Sequence, residues 1–346
     1  MKAAVFLSSG LGNSLLLTPL FKELNKRGGE IAAISTSSYG GDEVIETTNL
    51  VKEVIKIRGW FSWVKATMTH WNTFDVVYLD HFSSNRKTLI LAGCISKTIV
   101  AQKIPDGTPE WVRRKSTIIP PVKGGHAAVQ NLQLVLPGTH TLHPAQLSLP
   151  VSQELSVPMD LDSPFICIQL GSANGETTYK NWNAERWVEL TARFTSGDNP
   201  LEVVILGDES EKELAAKIKG NNGRIHSLAG KTRLTEAMAW LQRGVLFMGV
   251  DSGLMHLAAA LGTPTLTLWG PSDRSLYSWE QIDPAKHAVI TADPACGPCN
   301  SWLNPNTSRV SDPMQCPDHQ CMQDITVDQV YEAFERHCKQ LQSQQT

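Results

Sequence analysis

No apolar run in this chain approaches the roughly 20 residues that a membrane-spanning helix needs, so a helical integral membrane protein is not expected. A basic surplus is missing too: 31 Lys and Arg stand against 34 Asp and Glu, a formal net charge of −3. A duplex-binding surface would show the opposite balance, so no nucleic-acid partner is expected. There is no short-period repeat and no low-complexity tract, which sets aside solenoids and disordered chains. The cysteines are seven, an odd number for a chain of 346 residues. That is not a disulfide framework and points to a reducing, cytoplasmic setting. The opening stretch MKAAVFLSSGLGN has one lysine and a short apolar run, as a signal segment would. It reads better as a first strand, because a glycine turn and a helical pattern follow.

What the chain does have is alternation. Apolar residues make up 41% and charged residues 19%, enough to fold and stay in solution. The length suits two domains of ordinary size. Strand-like AAVFLSS, EIAAIST, VKEVIKI, DVVYLD and KTIVAQ are separated by helical patterns. The rhythm breaks from Pro137 to Pro164, where five prolines mark a linker or extended crossover. It then resumes through FICIQLG, LEVVILG, VLFMGVD and TLTLWG, each with a helical partner. An α/β architecture follows: two doubly wound, Rossmann-like domains, each with a parallel sheet, facing across a cleft. The expected limits are 1–150 and 151–325, with one more amphipathic helix over 326–346.

The most informative junction is VDSGLMHLAAALGTPTLTLWGPSD, residues 250–273. Asp251 ends a buried strand. Ser252 suits a helix N-cap, and Gly253 admits a close backbone approach. His256 falls in the first turn of a helix whose free N–H groups suit an anion, phosphate above all. The plainer reading is a capped strand–helix turn with His256 satisfied in the core. Three other strand ends carry related pieces. In GSANGETTYKNW, Gly171, Ser172 and Ala173 make a small-residue turn and Lys180 is a point charge for phosphate, unless it is simply solvated. ILGDESE supplies Glu209 and Glu211, acceptors for ribose hydroxyls. WGPSD brings Ser272 and Asp273 to a rim. Amides, a lysine and a carboxylate together suit a nucleotide diphosphate.

These pieces resemble the donor domain of the ADP-heptose:lipopolysaccharide heptosyltransferases, glycosyltransferase family 9. The matching segments are GSANGETTYKNWNAERW, VVILGDESE, LAGKTRLTEAMAWL and DSGLMHLAAALGTPTLTLWGPSD. The first half is similar to the same family in GLGNSLLLTPLFKEL, FDVVYLDHFSSNRKTLILAG and HAAVQNLQLVL. The resemblance implies the GT-B fold, with the last helix returning to the first domain. It also implies inverting transfer of heptose or a related sugar from a nucleotide-diphosphate donor, ADP-heptose by family habit. The acceptor would be a lipopolysaccharide core or another surface glycan. By motif, Asp251, Ser252, Gly253 and His256 would hold the nucleotide sugar and Lys180 its phosphates. The turn at Ser172 and Ala173 would support the diphosphate. Glu209 or Glu211 would face the ribose, and Thr232 in GKTRL would lie by the base. Lys180 and the helix N-terminus would stabilise the leaving diphosphate, so no cofactor is required for the chemistry.

The first half departs from the family at one position. The loop usually reads glycine–aspartate, the aspartate being the proposed base; here it is Asn13. An amide takes no proton at neutral pH. Three explanations stay open: another cleft residue serves, Asp80 or His81 in YLDHFSS; Asn13 only orients the acceptor; or transfer activity is lost. Asp80 would otherwise cap the next helix. The competing functions are therefore a GT-B nucleotide-sugar epimerase and a non-catalytic nucleotide-sugar-binding protein.

Two further features stand outside that scheme. Cys296 and Cys299 have the two-residue gap of a metal knuckle, and Cys316 and Cys321 follow with His319 between them. A structural zinc or iron suits them, as the iron on four cysteines of some related autotransporter heptosyltransferases implies; free thiols and disulfides are the alternatives. Cys94, Cys167 and Cys338 are expected in the core. In GWFSWVKATMTHW, Trp60, Val64, Met68 and Trp71 share one helical face. Core packing is the ordinary expectation for such a stripe; the alternative is a docking face, making the protein peripheral at the inner membrane. The basic run WVRRKS (111–116) would meet an anionic saccharide or only solvent.

Overall fold

Strand β1 (Lys2–Phe6) is buried on both faces from Ala3 onward, and that double burial is what a central parallel strand requires. The chain is described by a computed structural model for all residues except 9, 123, 153–154, 158–160, 162, 173–176, 197–198, 300–309, 311 and 345–346. It forms two compact units, Met1–Glu154 and Leu155–Thr346.

The first unit adds β2 (Glu30–Ser35), β3 (Glu53–Lys56), β4 (Phe74–Leu79), β5 (Ser96–Ala101) and β6 (Ser116–Ile118). All pairings are parallel, in the order β3-β2-β1-β4-β5-β6. The second unit repeats the pattern with β7 (Phe165–Gln169), β8 (Glu202–Leu206), β9 (Ile225–Ser227), β10 (Leu246–Val250), β11 (Thr265–Leu268) and β12 (His287–Ile290). Its order is β12-β11-β10-β7-β8-β9, again all parallel. Each sheet reverses its winding once, between β1 and β4 and between β7 and β10. Loops leaving the carboxyl ends there diverge and leave room for a ligand.

The first helical pattern is broken in two. Leu11–Leu15 and Thr18–Lys26 are separate helices, with Pro19 near the start of the second. Proline cannot donate to a preceding carbonyl, and Thr18 Oγ1 takes up the Leu15 carbonyl at 2.7 Å instead. The helix Val327–Ser343 packs through Val330 and Phe334 into the core of the second unit.

The stripe Trp60, Val64, Met68 and Trp71 is not core. Helix Trp60–Thr69 buries Ala66 and packs Trp63 partly against the first unit's core. Trp60 is 70% exposed, Met68 76% and Trp71 66%. Small Ala66 lets the helix lie close to its neighbours, so the larger face is the one turned outward. Cys167 is fully buried as expected, whereas Cys94 and Cys338 are half-buried.

Candidate functional site

Several of the residues singled out in the sequence stand at the two reversal points, while Glu209, Thr232 and the four cysteines follow other strands. In the second unit, β7 leads to Gly171, Ser172 and Lys180, and β10 leads to Asp251, Ser252, Gly253 and His256. Lys180 Nζ donates to Asp251 Oδ2 at 2.6 Å. Side-chain exposure is 15% for the lysine and 7% for the aspartate, so the pair is largely out of water. On the other side, His256 Nε2 stands 3.7 Å from Asp251 Oδ1. Burial works to raise the pKa of Asp251, but the Lys180 ammonium and His256 outweigh it and hold the carboxyl below its ordinary range. Asp251 is thus an anion with the Lys180 ammonium hydrogen-bonded to one oxygen and the His256 imidazole standing 3.7 Å from the other.

Trp279 fixes the imidazole. Its indole N–H donates to His256 Nδ1 at 2.9 Å. Indole nitrogen only donates, so Nδ1 must be the unprotonated nitrogen, and the proton sits on Nε2, facing Asp251. Trp279 is buried and far along the sequence, and nothing in the sequence pattern pointed to it.

Ser252 is the N-cap of helix Gly253–Ala260, accepting from Met255 N. Its hydroxyl donates to Gln169 Oε1. Gln169 Nε2 in turn donates to Glu211 Oε2 at 3.3 Å. Glu211 also accepts from the backbone N–H groups of Leu170 at 3.0 Å, Gly171 at 2.8 Å and Asp208 at 3.2 Å. A buried polar chain therefore ties the ends of β7, β8 and β10 together. Burial pushes the Glu211 carboxyl up to about 7, against the pull of the Gln169 and Gly171 donors. Between the two carboxylates left open by the spacing, Glu211 is spent on the scaffold. Glu209 is exposed, pairs with Lys212 at 2.8 Å, and lies over Gly230: a Cβ there would stand 2.5 Å from Glu209 Oε2. Thr232, half-buried, follows two residues on.

Ser172 closes its turn, with its N–H on Asn181 Oδ1 at 3.1 Å and its hydroxyl on the Thr177 carbonyl at 2.8 Å. Ala173 lies outside the described residues. Asp273 caps helix Arg274–Tyr277. The neighbouring Ser272 Oγ is buried without a hydrogen-bond partner among the described residues. It lines a cavity of about 340 Å³ that also takes in Cys296, Cys299, Cys316 and Cys321. Cys299 N–H donates to the Pro271 carbonyl at 2.8 Å, joining the cysteine segment to the turn. Burial, then the nearby Cys299, Cys316 and Cys296 sulfurs, pushes Cys321 up to about 12. A four-thiol donor set fits zinc or iron by its chemistry. Among the described residues, however, no three of His, Cys, Asp or Glu are placed to share an ion.

In the first unit, β1 leads to Ser8, Gly10 and Asn13, and β4 to Asp80 and His81. Asp80 is buried, with one oxygen accepting from Ser8 Oγ and the other from Ser83 N at 2.8 Å and Ser83 Oγ at 2.6 Å. Asn85, not Asp80, caps the following helix. Burial raises the Asp80 pKa against these donors. His81 is half-buried, its Nε2 3.1 Å from Lys103 Nζ. Burial first, then the lysine charge, lowers its pKa to about 4. Asn13 is half-buried in the short helix Leu11–Leu15.

The model of glycosyltransferase family 9 (heptosyltransferase) matches residues 114–307, more than half of the chain. The chain belongs to glycosyltransferase family 9. Lipopolysaccharide heptosyltransferase 3 of Escherichia coli K12 is 25% identical over 234 residues, 64% of this chain and 65% of that relative. The matched stretch is thus just under two thirds of that relative's length. Among solved structures, the ADP-heptose lps heptosyltransferase II of E. coli superposes with a TM-score of 0.71 at 18% identity, covering 99% of this chain and 100% of the other. The iron-containing dodecameric glycosyltransferase TibC of enterotoxigenic E. coli H10407 gives 0.57 at 16% identity, covering 98% and 76%. The fold of this family 9 chain is GT-B, with the two parallel-sheet α/β units described above.

Proposed function

We propose that the protein is an inverting glycosyltransferase that moves heptose, or a related sugar, from ADP-heptose or a similar nucleotide-diphosphate donor to a lipopolysaccharide core or other surface glycan. The observation that carries this reading is Asp251 held between Lys180 and His256 at the start of helix Gly253–Ala260. Met255 N–H is taken by the Ser252 cap; the Gly253 and Leu254 amides at the helix start have no intrahelical partner and favour an anion together with the ammonium. A bound diphosphate recruits Lys180 from Asp251, and the same cation then takes the charge that develops on the leaving group. Glu209 faces the ribose and Thr232 lies by the base. Ser252, Ser172 and Glu211 shape the pocket.

The base is assigned to His81, whose imidazole is unprotonated at neutral pH, as a proton acceptor must be. Its Nε2 stands 3.1 Å from the Lys103 ammonium, a donor only, so it takes a proton once Lys103 moves away to the acceptor or to solvent. Both oxygens of Asp80 are committed to Ser8 and Ser83, so Asp80 sets the loop. Asn13 orients the acceptor through its amide. The four cysteines carry the donors for a structural zinc or iron, which would supply a crosslink and no chemical step. The likeness to an iron-containing enzyme supports this, and the cysteines would have to draw together from their described positions to share the ion. The protein works in the cytoplasm and meets a lipid-borne acceptor at the inner membrane.

The test is incubation with ADP-heptose, with and without a lipopolysaccharide-core acceptor. Sugar transfer that requires both supports the reading. Donor conversion without acceptor, or donor binding with no turnover, overturns it.

A further inference from the structure

Among the described residues of the first unit, nothing covers the outward side chains of helix Trp60–Thr69 and the turn after it. Trp60, Phe61, Met68 and Trp71 are 66–89% exposed, and Trp60 stacks on Trp63 with parallel rings 5.7 Å apart. Aromatic side chains held rigid in water on a helix face sit well at a lipid headgroup boundary, where one side is apolar and the other wet.

The charge around the stripe says what covers it. From Val54 to Phe74 there is no Asp or Glu; Lys65 is exposed there, while Lys56 and Arg58 pair with Glu46 and Asp42 and add little to the charge of the face. Over residues 54–115, ten Lys and Arg face four Asp and Glu, in a chain whose net charge is −3. The helices Trp60–Thr69 and Glu110–Arg114 both pack on Arg86–Ile95, so the three lie side by side on one face of the first sheet. That face exposes Lys65, Arg86, Lys87 and Arg114. Trp111 is 45% exposed, with the Lys115 ammonium 5.9 Å above its ring. Apolar rings inside a cationic surround match an anionic bilayer: the rings enter the boundary and the lysines and arginines meet phosphate.

The topology places the surface usefully. Helices Trp60–Thr69 and Arg86–Ile95 each begin at the carboxyl end of a strand, β3 and β4. Trp60, Phe61, Arg86 and Lys87 therefore start at the sheet edge that carries Asp80 and His81.

We infer that this three-helix face, led by Trp60, Phe61, Met68 and Trp71, docks the protein on an anionic lipid surface. The inference rests on the reading that the acceptor is lipid-borne. That reading is tested separately by transfer to a lipid-free core oligosaccharide in detergent-free buffer, so either can fail alone.

The experiment is vesicle flotation of the full chain. One set of vesicles is phosphatidylcholine with about one-third phosphatidylglycerol, the other phosphatidylcholine alone. The wild type is expected to float with the anionic vesicles and to release in high salt. The variant Trp60→Ser/Phe61→Ser/Met68→Ser/Trp71→Ser is expected to bind at least about tenfold more weakly. Lys65→Glu/Lys87→Glu is expected to weaken binding as well. All six side chains are exposed, and an unchanged unfolding temperature confirms the fold of each variant. Failure of the wild type to float overturns the inference, as does equal flotation of the four-serine variant. A wild-type oligomer that the serine variant dissolves, without vesicle capture, makes the face a contact between copies and overturns it too.

Discussion

Trp279 hands its indole N–H to Nδ1 of His256 across 2.9 Å, and so decides which face of the imidazole carries the proton. Replacing Trp279 with Phe keeps an aromatic ring and removes only the donor. Nδ1 is then free to take the proton, and the Nε2–H that faces Asp251 is no longer enforced. We expect kcat/KM to fall about tenfold, the worth of one buried hydrogen bond. Nitrogen-15 NMR of His256 separates this from simple loosening. The wild type should show the Nε2–H tautomer and Trp279→Phe a mixture; a wild-type spectrum in the variant would refute the assignment.

Lys180 and Asp251 are expected to separate stability from binding. Lys180→Met leaves a buried carboxylate unpaired, a change that costs about 3 kcal/mol. Adding Asp251→Asn removes the stranded charge, so the double variant should regain most of that loss in chemical denaturation. Donor binding should not return, because the cation for the diphosphate is still missing. Recovery of donor-induced thermal stabilisation in the double variant would show that Lys180 does not touch phosphate.

Two buried groups of the second unit, Glu211 and His287, respond to pH in opposite senses. Glu211 titrates at about 7 when folded, above its ordinary 4.5. Its folded state holds the proton more tightly, so its contribution is complete below 4.5 and is lost as pH rises through 7. His287 is depressed from 6.5 to about 3 by burial, then by Lys286 and His337. Its contribution is complete above 6.5 and is lost as pH falls toward 3. Glu211→Gln should flatten the fall in unfolding temperature between about pH 5 and 8 and leave the acid limb intact. An unchanged alkaline slope would mean that Glu211 is ionised throughout.

Much of this arrangement was legible in the residues. Every strand with a continuous apolar run was found, because a parallel strand buried on both faces reads as such. The edge strands β6, β9 and β12 were not, since three or four residues carry no period. The junction at Asp251, Ser252 and Gly253 was legible because a carboxylate, a cap and a glycine each have a local reason to be there. Gln169 and Trp279 were not, as their roles exist only once β7, β10 and the segment after β11 lie together. The stripe at Trp60, Val64, Met68 and Trp71 misled for a physical reason. Helical period shows that residues share a face, and says nothing about whether that face turns inward.

His81 and Asp80 are expected to fail differently. His81→Gln keeps a hydrogen-bonding side chain but no base, so transfer should drop by at least about a hundredfold. Donor binding should hold, because His81 lies in the first unit. Asp80→Asn gives up one charged acceptor of the Ser8 and Ser83 donors and should cost about 1–3 kcal/mol, with kcat reduced only modestly in the folded fraction. Loss of all turnover in well-folded Asp80→Asn, with His81→Gln active, would return the proton to Asp80.

The four cysteines bear on the Gly270–Asp273 turn, because Cys299 N–H holds the Pro271 carbonyl and Cys321 Sγ lies 3.7 Å from where a Cβ on Gly270 would stand. A metal on the four thiols would lock that turn, and with it the cap at Asp273. Protein purified under reducing conditions should then carry about one zinc or iron per chain by elemental analysis. Stripping it with a chelator should lower the unfolding temperature and raise the donor KM, while kcat at saturation changes little, since the ion supplies no step. Cys296→Ser/Cys299→Ser should reproduce the stripped protein without chelator. Metal-free protein with full stability and an unchanged donor KM would leave the thiols as ordinary lining of the cavity.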